Sequence, residues 1–152
     1  MTTPADLDEL TALEAVIDQW FTRQLAENPV VAAVERDVDG PRQWYVRLLG
    51  EEREAFTIRY QLKQRTLHYE TYFMPAPIDN HEQLYRHLLR RNLKLYGASF
   101  TIGDEDAVYL VGQLDNALIG DDELDRVLGS IYVWVEQFFR PAMAIGYASK
   151  FS

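Results

Sequence analysis

The chain of 152 residues contains no cysteine. That absence excludes a disulfide, a thiolate nucleophile and any zinc site built on cysteine, and it suits a reducing cytosol. Long apolar runs are missing as well. Around the N-terminus the acids Asp6, Asp8, Glu9, Glu14 and Asp18 break up the hydrophobic residues, so neither a signal peptide nor a membrane span is expected. Positive charge is short: the formal net charge is −9, which repels phosphate backbones and argues against nucleic acid as a partner. Recognisable chemistry is absent too. No serine sits in a G-x-S-x-G elbow and no G-x-x-x-x-G-K loop is present to cradle phosphate. Repeats, low-complexity stretches and domain linkers are also missing, so the expectation is one cytoplasmic, non-enzymatic domain over residues 1–152, with no cofactor.

The hydrophobic content of 47% supplies a core, and the charged content of 26% gives an ordinary soluble surface. The charges are polarised along the chain. Acids gather in Asp6–Asp18 and again in Asp104–Asp125, while Arg86, Arg90, Arg91 and Lys94 form the one dense basic run.

Periodicity sets the elements. Thr3-Pro4 reads as an N-cap and first helical residue. Leu10, Leu13, Ile17, Trp20, Phe21 and Leu25 then recur at helical spacing until Asn28-Pro29 stops the helix. From Val30 to Met74 the period becomes two. Val30–Arg36 forms one strand, closed by Asp39-Gly40, and three more carry Trp44/Val46/Leu48, Phe56/Ile58/Tyr60/Leu62 and Leu67/Tyr69/Thr71/Phe73 on one apolar face. Their short connections predict an antiparallel meander.

Asp79 and Glu82 form an expected capping box for a second helix. Its stripe runs Leu84, Tyr85, Leu88, Leu89, Asn92, Leu95 and Tyr96, with Gly97 as the C-terminal cap. Ser99–Ile102 and Ala107–Leu114 predict a hairpin around Gly103-Asp104-Glu105-Asp106. After Gly120 a third helix carries Leu124, Val127, Leu128, Ile131, Trp134, Val135, Phe138 and Phe139, and Pro141 should kink or end it. The order α-ββββ-α-ββ-α predicts a two-layer α+β domain: an antiparallel sheet covered by three helices.

Turn lengths fix the register. A two-residue loop at Gln64-Arg65 places Leu62 opposite Leu67, Tyr60 opposite Tyr69 and Arg59 opposite Glu70. A three-residue loop at Glu51-Glu52-Arg53 places Leu48 opposite Phe56 and Tyr45 beside Arg59.

Several stretches resemble the YbjN-like family of bacterial proteins, particularly its actinobacterial branch. They are Arg42-Gln43-Trp44-Tyr45-Val46-Arg47, Arg65-Thr66-Leu67-His68-Tyr69-Glu70-Thr71-Tyr72 and Met74-Pro75-Ala76-Pro77. Further along come Leu88-Leu89-Arg90-Arg91-Asn92, Val108-Tyr109-Leu110-Val111-Gly112 and Glu123-Leu124-Asp125-Arg126-Val127-Leu128-Gly129. The resemblance implies a fold similar to type III secretion chaperones, an antiparallel sheet with helices packed on it. Those chaperones are often dimeric and bind extended segments of client proteins without catalysing a reaction. The family's motifs have no established catalytic or binding role, so the resemblance carries no functional residue across.

The residues themselves leave several candidates. Tyr45, Arg47, Arg59, Glu70 and Tyr72 share the sheet face opposite the apolar one, either as a solvated cross-strand ladder or as a peptide-binding surface. Arg86, Arg90, Arg91 and Lys94 form either a solvated helix face or a capture surface for an acidic client. Asn92 interrupts an apolar stripe, where it either caps a backbone group or fixes register in a dimer interface with Tyr85, Leu89 and Tyr96. His68 and Glu70 share a strand face, and two ligands fall short of a metal site. The acidic stretches Gly103–Asp106 and Asp121–Glu123 lack the loop spacing that calcium ligation needs. The resulting expectation is a homodimeric protein- or peptide-binding module, chaperone-like or regulatory. The alternative is a small-molecule-responsive regulatory domain with its ligand between sheet and helices, and an enzyme of unrecognised type ranks third.

Overall fold

The computed structural model describes residues 3–37 and 39–151. Helix α1 (Leu7–Glu27) precedes strands β1 (Val31–Arg36), β2 (Gln43–Leu49), β3 (Ala55–Leu62) and β4 (Thr66–Met74). Helix α2 (His81–Asn92), strands β5 (Ala98–Ile102) and β6 (Val108–Asp115), and helix α3 (Asp121–Gly146) complete the chain. This is the expected α-ββββ-α-ββ-α order of an α+β fold. The six strands form one antiparallel sheet in the order β1-β2-β3-β4-β6-β5. Strand β6 pairs with β4, so the β5–β6 hairpin leaves β5 at the edge opposite β1.

The register follows the turns. Leu62 faces Leu67, Tyr60 faces Tyr69 and Arg59 faces Glu70 across β3–β4, and Tyr45 faces Arg59 across β2–β3. The Lys63 N–H donates to the Thr66 carbonyl at 2.9 Å, closing the loop at Gln64-Arg65. A one-residue slip would turn the buried set outward, and that set includes Trp44, Val46, Leu48, Ile58, Tyr60, Leu67 and Phe73.

All three helices pack on this apolar face and share one core with it. On α1, Phe21 stacks on Trp44 at 6.2 Å and meets the edge of Tyr60 at 5.1 Å. On α3, Tyr132 lies on Phe56, Phe138 on Phe100 and Phe139 on Phe73. On α2, Leu84 and Leu88 are buried. Each such side chain contributes about 1.5–3 kcal/mol through burial.

Four helix-end expectations are corrected. Asp6, not Thr3, is the N-cap of α1, and its carboxylate accepts from the Glu9 N–H at 2.8 Å. The preceding residues are held elsewhere, because the Ala5 N–H donates to the Gln64 carbonyl at 2.8 Å. There is no Asp79/Glu82 capping box. The N-cap of α2 is Asn80 in the left-handed region at φ 52°, while Asp79 accepts from the N–H and hydroxyl of Ser149. Helix α2 ends at Asn92, so Leu95 and Tyr96 lie beyond it, and Gly97 (φ +79°) turns the chain into β5. Pro141 does not end α3, which runs on to Gly146. The carbonyl that proline leaves without its helical partner belongs to Gln137, an exposed residue, while buried Ala142 and Gly146 hold the last turns against the core.

Candidate functional site

With the helices on one face, the other face of the sheet is open. Side chains alternate along a strand, so the residues between the core positions point there. One row crosses all six strands: Glu35, Tyr45, Arg59, Glu70, Val111 and Ser99. A second row holds Gln43, Gln61, His68 and Gln113. On the other side, Arg47 pairs with Thr57, and Tyr72 with Tyr109.

The centre of this face is pre-ordered. Arg59 donates to Glu70 Oε1 through Nε (3.0 Å) and Nη2 (2.7 Å), and through Nη1 to Gln43 Oε1 at 2.9 Å. Gln43 in turn donates to Asp37 at 2.7 Å. The aromatic and cationic groups around this chain are free to make contact. Arg47 and Tyr72 are exposed, Tyr45 is half-buried, and Tyr72 meets Tyr109 edge-to-face at 5.6 Å. The five candidate residues Tyr45, Arg47, Arg59, Glu70 and Tyr72 therefore lie together on one surface.

A shallow basin of about 330 Å3 opens on the same face, lined among others by Arg59, Gln61, Lys63, His68, Glu70 and Gln113. Burial, then the charges of Lys63 and Arg59, hold the His68 imidazole below its ordinary 6.5, with Glu70 opposing them. These surroundings favour the neutral imidazole, in which one ring nitrogen is a donor and the other an acceptor.

Arg53 has a role that its position in a turn gave no reason to expect. Its Nη1 donates to the carbonyls of Tyr72 (2.5 Å) and Phe73 (2.8 Å), and the guanidinium lies 5.0 Å from the centre of the Phe139 ring. Burial lowers its pKa below the ordinary guanidinium range. The N–H groups of Glu51, Glu52 and Arg53 donate to the Glu136 carboxylate on α3 at 2.9, 2.9 and 3.4 Å. This ties the β2–β3 loop, and with it the register of the open face, to the helical layer.

The residues expected on one stripe of α2 do not act together. Tyr85 is half-buried and Leu89 is exposed. Asn92 turns toward β5, where its Oδ1 accepts from the Phe100 N–H at 2.7 Å and its Nδ2 donates to the Phe100 carbonyl at 3.1 Å. The amide is spent on this backbone group of its own chain, which is the capping reading of Asn92 that the sequence allowed. Tyr96 lies past the helix end, with the Arg126 guanidinium 4.8 Å from its ring centre. Of the basic run, Arg86 pairs with Glu82 at 2.8 Å, Arg90 and Lys94 are exposed, and Arg91 is half-buried.

Among the described residues no cluster of three or more His, Cys, Asp or Glu side chains could hold a metal ion. Among them, too, no helix is long and apolar enough to cross a membrane.

An antiparallel sheet with helices on one face and an ordered polar ladder on the other defines an α+β fold with one open sheet face. The family model of YbjN, described as "Putative bacterial sensory transduction regulator", matches residues 15–142, and the chain belongs to that family. An uncharacterized protein of Mycobacterium leprae is 35% identical over 112 residues, covering 74% of this chain and 61% of its own length. Uncharacterized proteins of Mycobacterium bovis and Mycobacterium tuberculosis are each 33% identical over 110 residues, covering 72% of this chain and 60% of their own length. The chain thus spans about three fifths of these relatives.

Proposed function

We propose that this protein is a non-enzymatic regulatory module of the cytoplasm that binds an extended segment of another protein on its open sheet face. One observation carries the reading: the three helices share a single face, leaving Tyr45, Arg47, Tyr72 and Tyr109 uncovered around the fixed Arg59–Glu70 pair. Aromatic side chains give contact area at low entropic cost and arginine adds directed hydrogen bonds, which is what peptide-binding surfaces use. The face is favoured over the β5 edge, because Asn92 already occupies the outward backbone groups of Phe100.

Selection from a displayed random-peptide library tests this reading. Peptides enriched on the wild-type protein should lose binding to Tyr45→Ala and Tyr72→Ala variants. Failure to enrich any peptide, or enriched peptides indifferent to both substitutions, would contradict it. The small-molecule-responsive reading draws on the basin beside Arg59 and His68 and on the family's description. It predicts that a metabolite library raises the melting temperature of the wild type but not of a His68→Ala variant.

A further inference from the structure

A second surface has no part in that reading. Between α2 and the edge strand β5 runs an apolar groove of about 200 Å3, lined by Tyr85, Leu88, Leu89, Phe100, Ile102 and Val108. It continues onto open surface, since Leu89 is 66% exposed, Leu93 87% and Ile102 53%. Tyr85 and Leu89 stack one turn apart along one side of α2, and Leu93, just past its end, continues the same surface. Arg86, Arg90 and Lys94 each follow one position on, bordering the apolar row. Among the described residues only Arg86 of the three has a carboxylate partner, and that pair is an exposed i,i+4 contact. In a chain of net charge −9, cations grouped beside exposed leucines are a local exception.

The groove and its border discriminate between occupants. An added strand would need the outward N–H and C=O of Phe100, at the middle of β5, and Asn92 holds both. A second copy packed antiparallel about a two-fold axis would bring the row Arg86, Arg90 and Lys94 against itself, and like charges across an interface are costly. A helix with an apolar stripe and carboxylates along the side that meets α2 satisfies both features at once. We infer that the α2–β5 groove docks an acidic amphipathic helix of another protein.

Fluorescence anisotropy with a labelled synthetic peptide tests this. The probe carries Leu at i, i+3, i+4 and i+7 with Glu at the flanking positions, and its twin carries Lys in place of every Glu. The Glu peptide should bind saturably, and the Lys twin at least about tenfold more weakly. Leu89→Asp and Arg90→Glu should each cost about tenfold or more, while Tyr72→Ala on the open face leaves binding unchanged. Both replaced side chains are exposed, so thermal melts of the variants should match the wild type. Equal binding of the two peptides, no saturable binding of the Glu peptide, or indifference to both groove substitutions would overturn the inference. So would a dimer in light scattering that Leu89→Asp converts to monomer, because the groove would then belong to a second copy.

Discussion

At the β1 end of the sheet, α1 is tied down by charge. Glu14 accepts from Arg36 and Arg42, Asp18 from Arg36 and from the Trp44 indole (2.7 Å). Toward α3, Asp125 accepts from the Trp20 indole at 2.8 Å, and Arg23 pairs with Asp121 at 2.5 Å. At the β5 end, α2 is held by buried Leu84 and Leu88 and by the Asn92 amide, while Arg90 and Lys94 face water. On α1, Glu14 and Asp18 are consumed within the fold, whereas Arg90 on α2 faces water. The same contrast governs the sheet's edges. Edge β1 is interrupted by an irregularity between Val31 and Ala33, and edge β5 is occupied at its centre by Asn92. Both devices discourage indiscriminate strand pairing, and the two proposed contacts lie elsewhere, on the open face and in the groove.

Truncation at each end should break or confirm this contrast most sharply. Trp44 is 1% exposed, and Trp44→Ala should cost about 3–5 kcal/mol in denaturant unfolding. Leu89→Ala at the other end should stay within about 0.5 kcal/mol of wild type. Comparable losses at the two sites would mean that Leu89 is as much a part of the core as Trp44.

Asn92 ranks next. Asn92→Leu leaves the Phe100 N–H and C=O without partners and should cost about 1–3 kcal/mol. It also opens the β5 edge, so light scattering should detect concentration-dependent association absent from the wild type. Unchanged stability and size would show that Asn92 does not guard the strand.

A smaller effect should appear in acid. Burial works against the Glu14 carboxylate, but hydrogen bonds and positive charge from Arg36 and Arg42 outweigh it and hold the pKa below the ordinary 4.5. A depressed folded-state pKa gives stability that is fully present above the unfolded value and lost as pH falls through the folded one. Wild-type stability should therefore decline below about pH 4.5 more steeply than that of Glu14→Gln. Parallel acid titrations would remove Glu14 from the account of how α1 is held.

The fold was legible in the sequence wherever a local period met a short turn. Residues Phe56–Leu62 and Leu67–Phe73 alternate strictly, and the loop at Gln64-Arg65 leaves them one register with the apolar set inside. The helix ends were less legible, because distant contacts decide them. Asp79 looks like a cap until Ser149 takes its carboxylate, and Pro141 looks like a stop until Ala142 and Gly146 are packed beyond it. The candidate face followed from parity alone. Arg53 did not, since its partners are carbonyls, which no residue type marks. Asn92 kept two readings until the β5 backbone was placed beside it.

The smallest predicted effect is at the centre of the open face. The Arg59–Glu70 pair is more than a third exposed on both sides, so Arg59→Ala should cost only about 0.2–1 kcal/mol of stability. A larger loss would make the ladder a structural element rather than a surface kept for contact.

Amide NMR mapping with a peptide selected on the wild-type protein tests the central claim most directly. The account predicts shifts concentrated in β2, β3, β4 and β6 around Tyr45, Arg59, Glu70, Tyr72 and Tyr109, weakened by Tyr72→Ala. Shifts confined to the helical layer, with the open face silent, would contradict it.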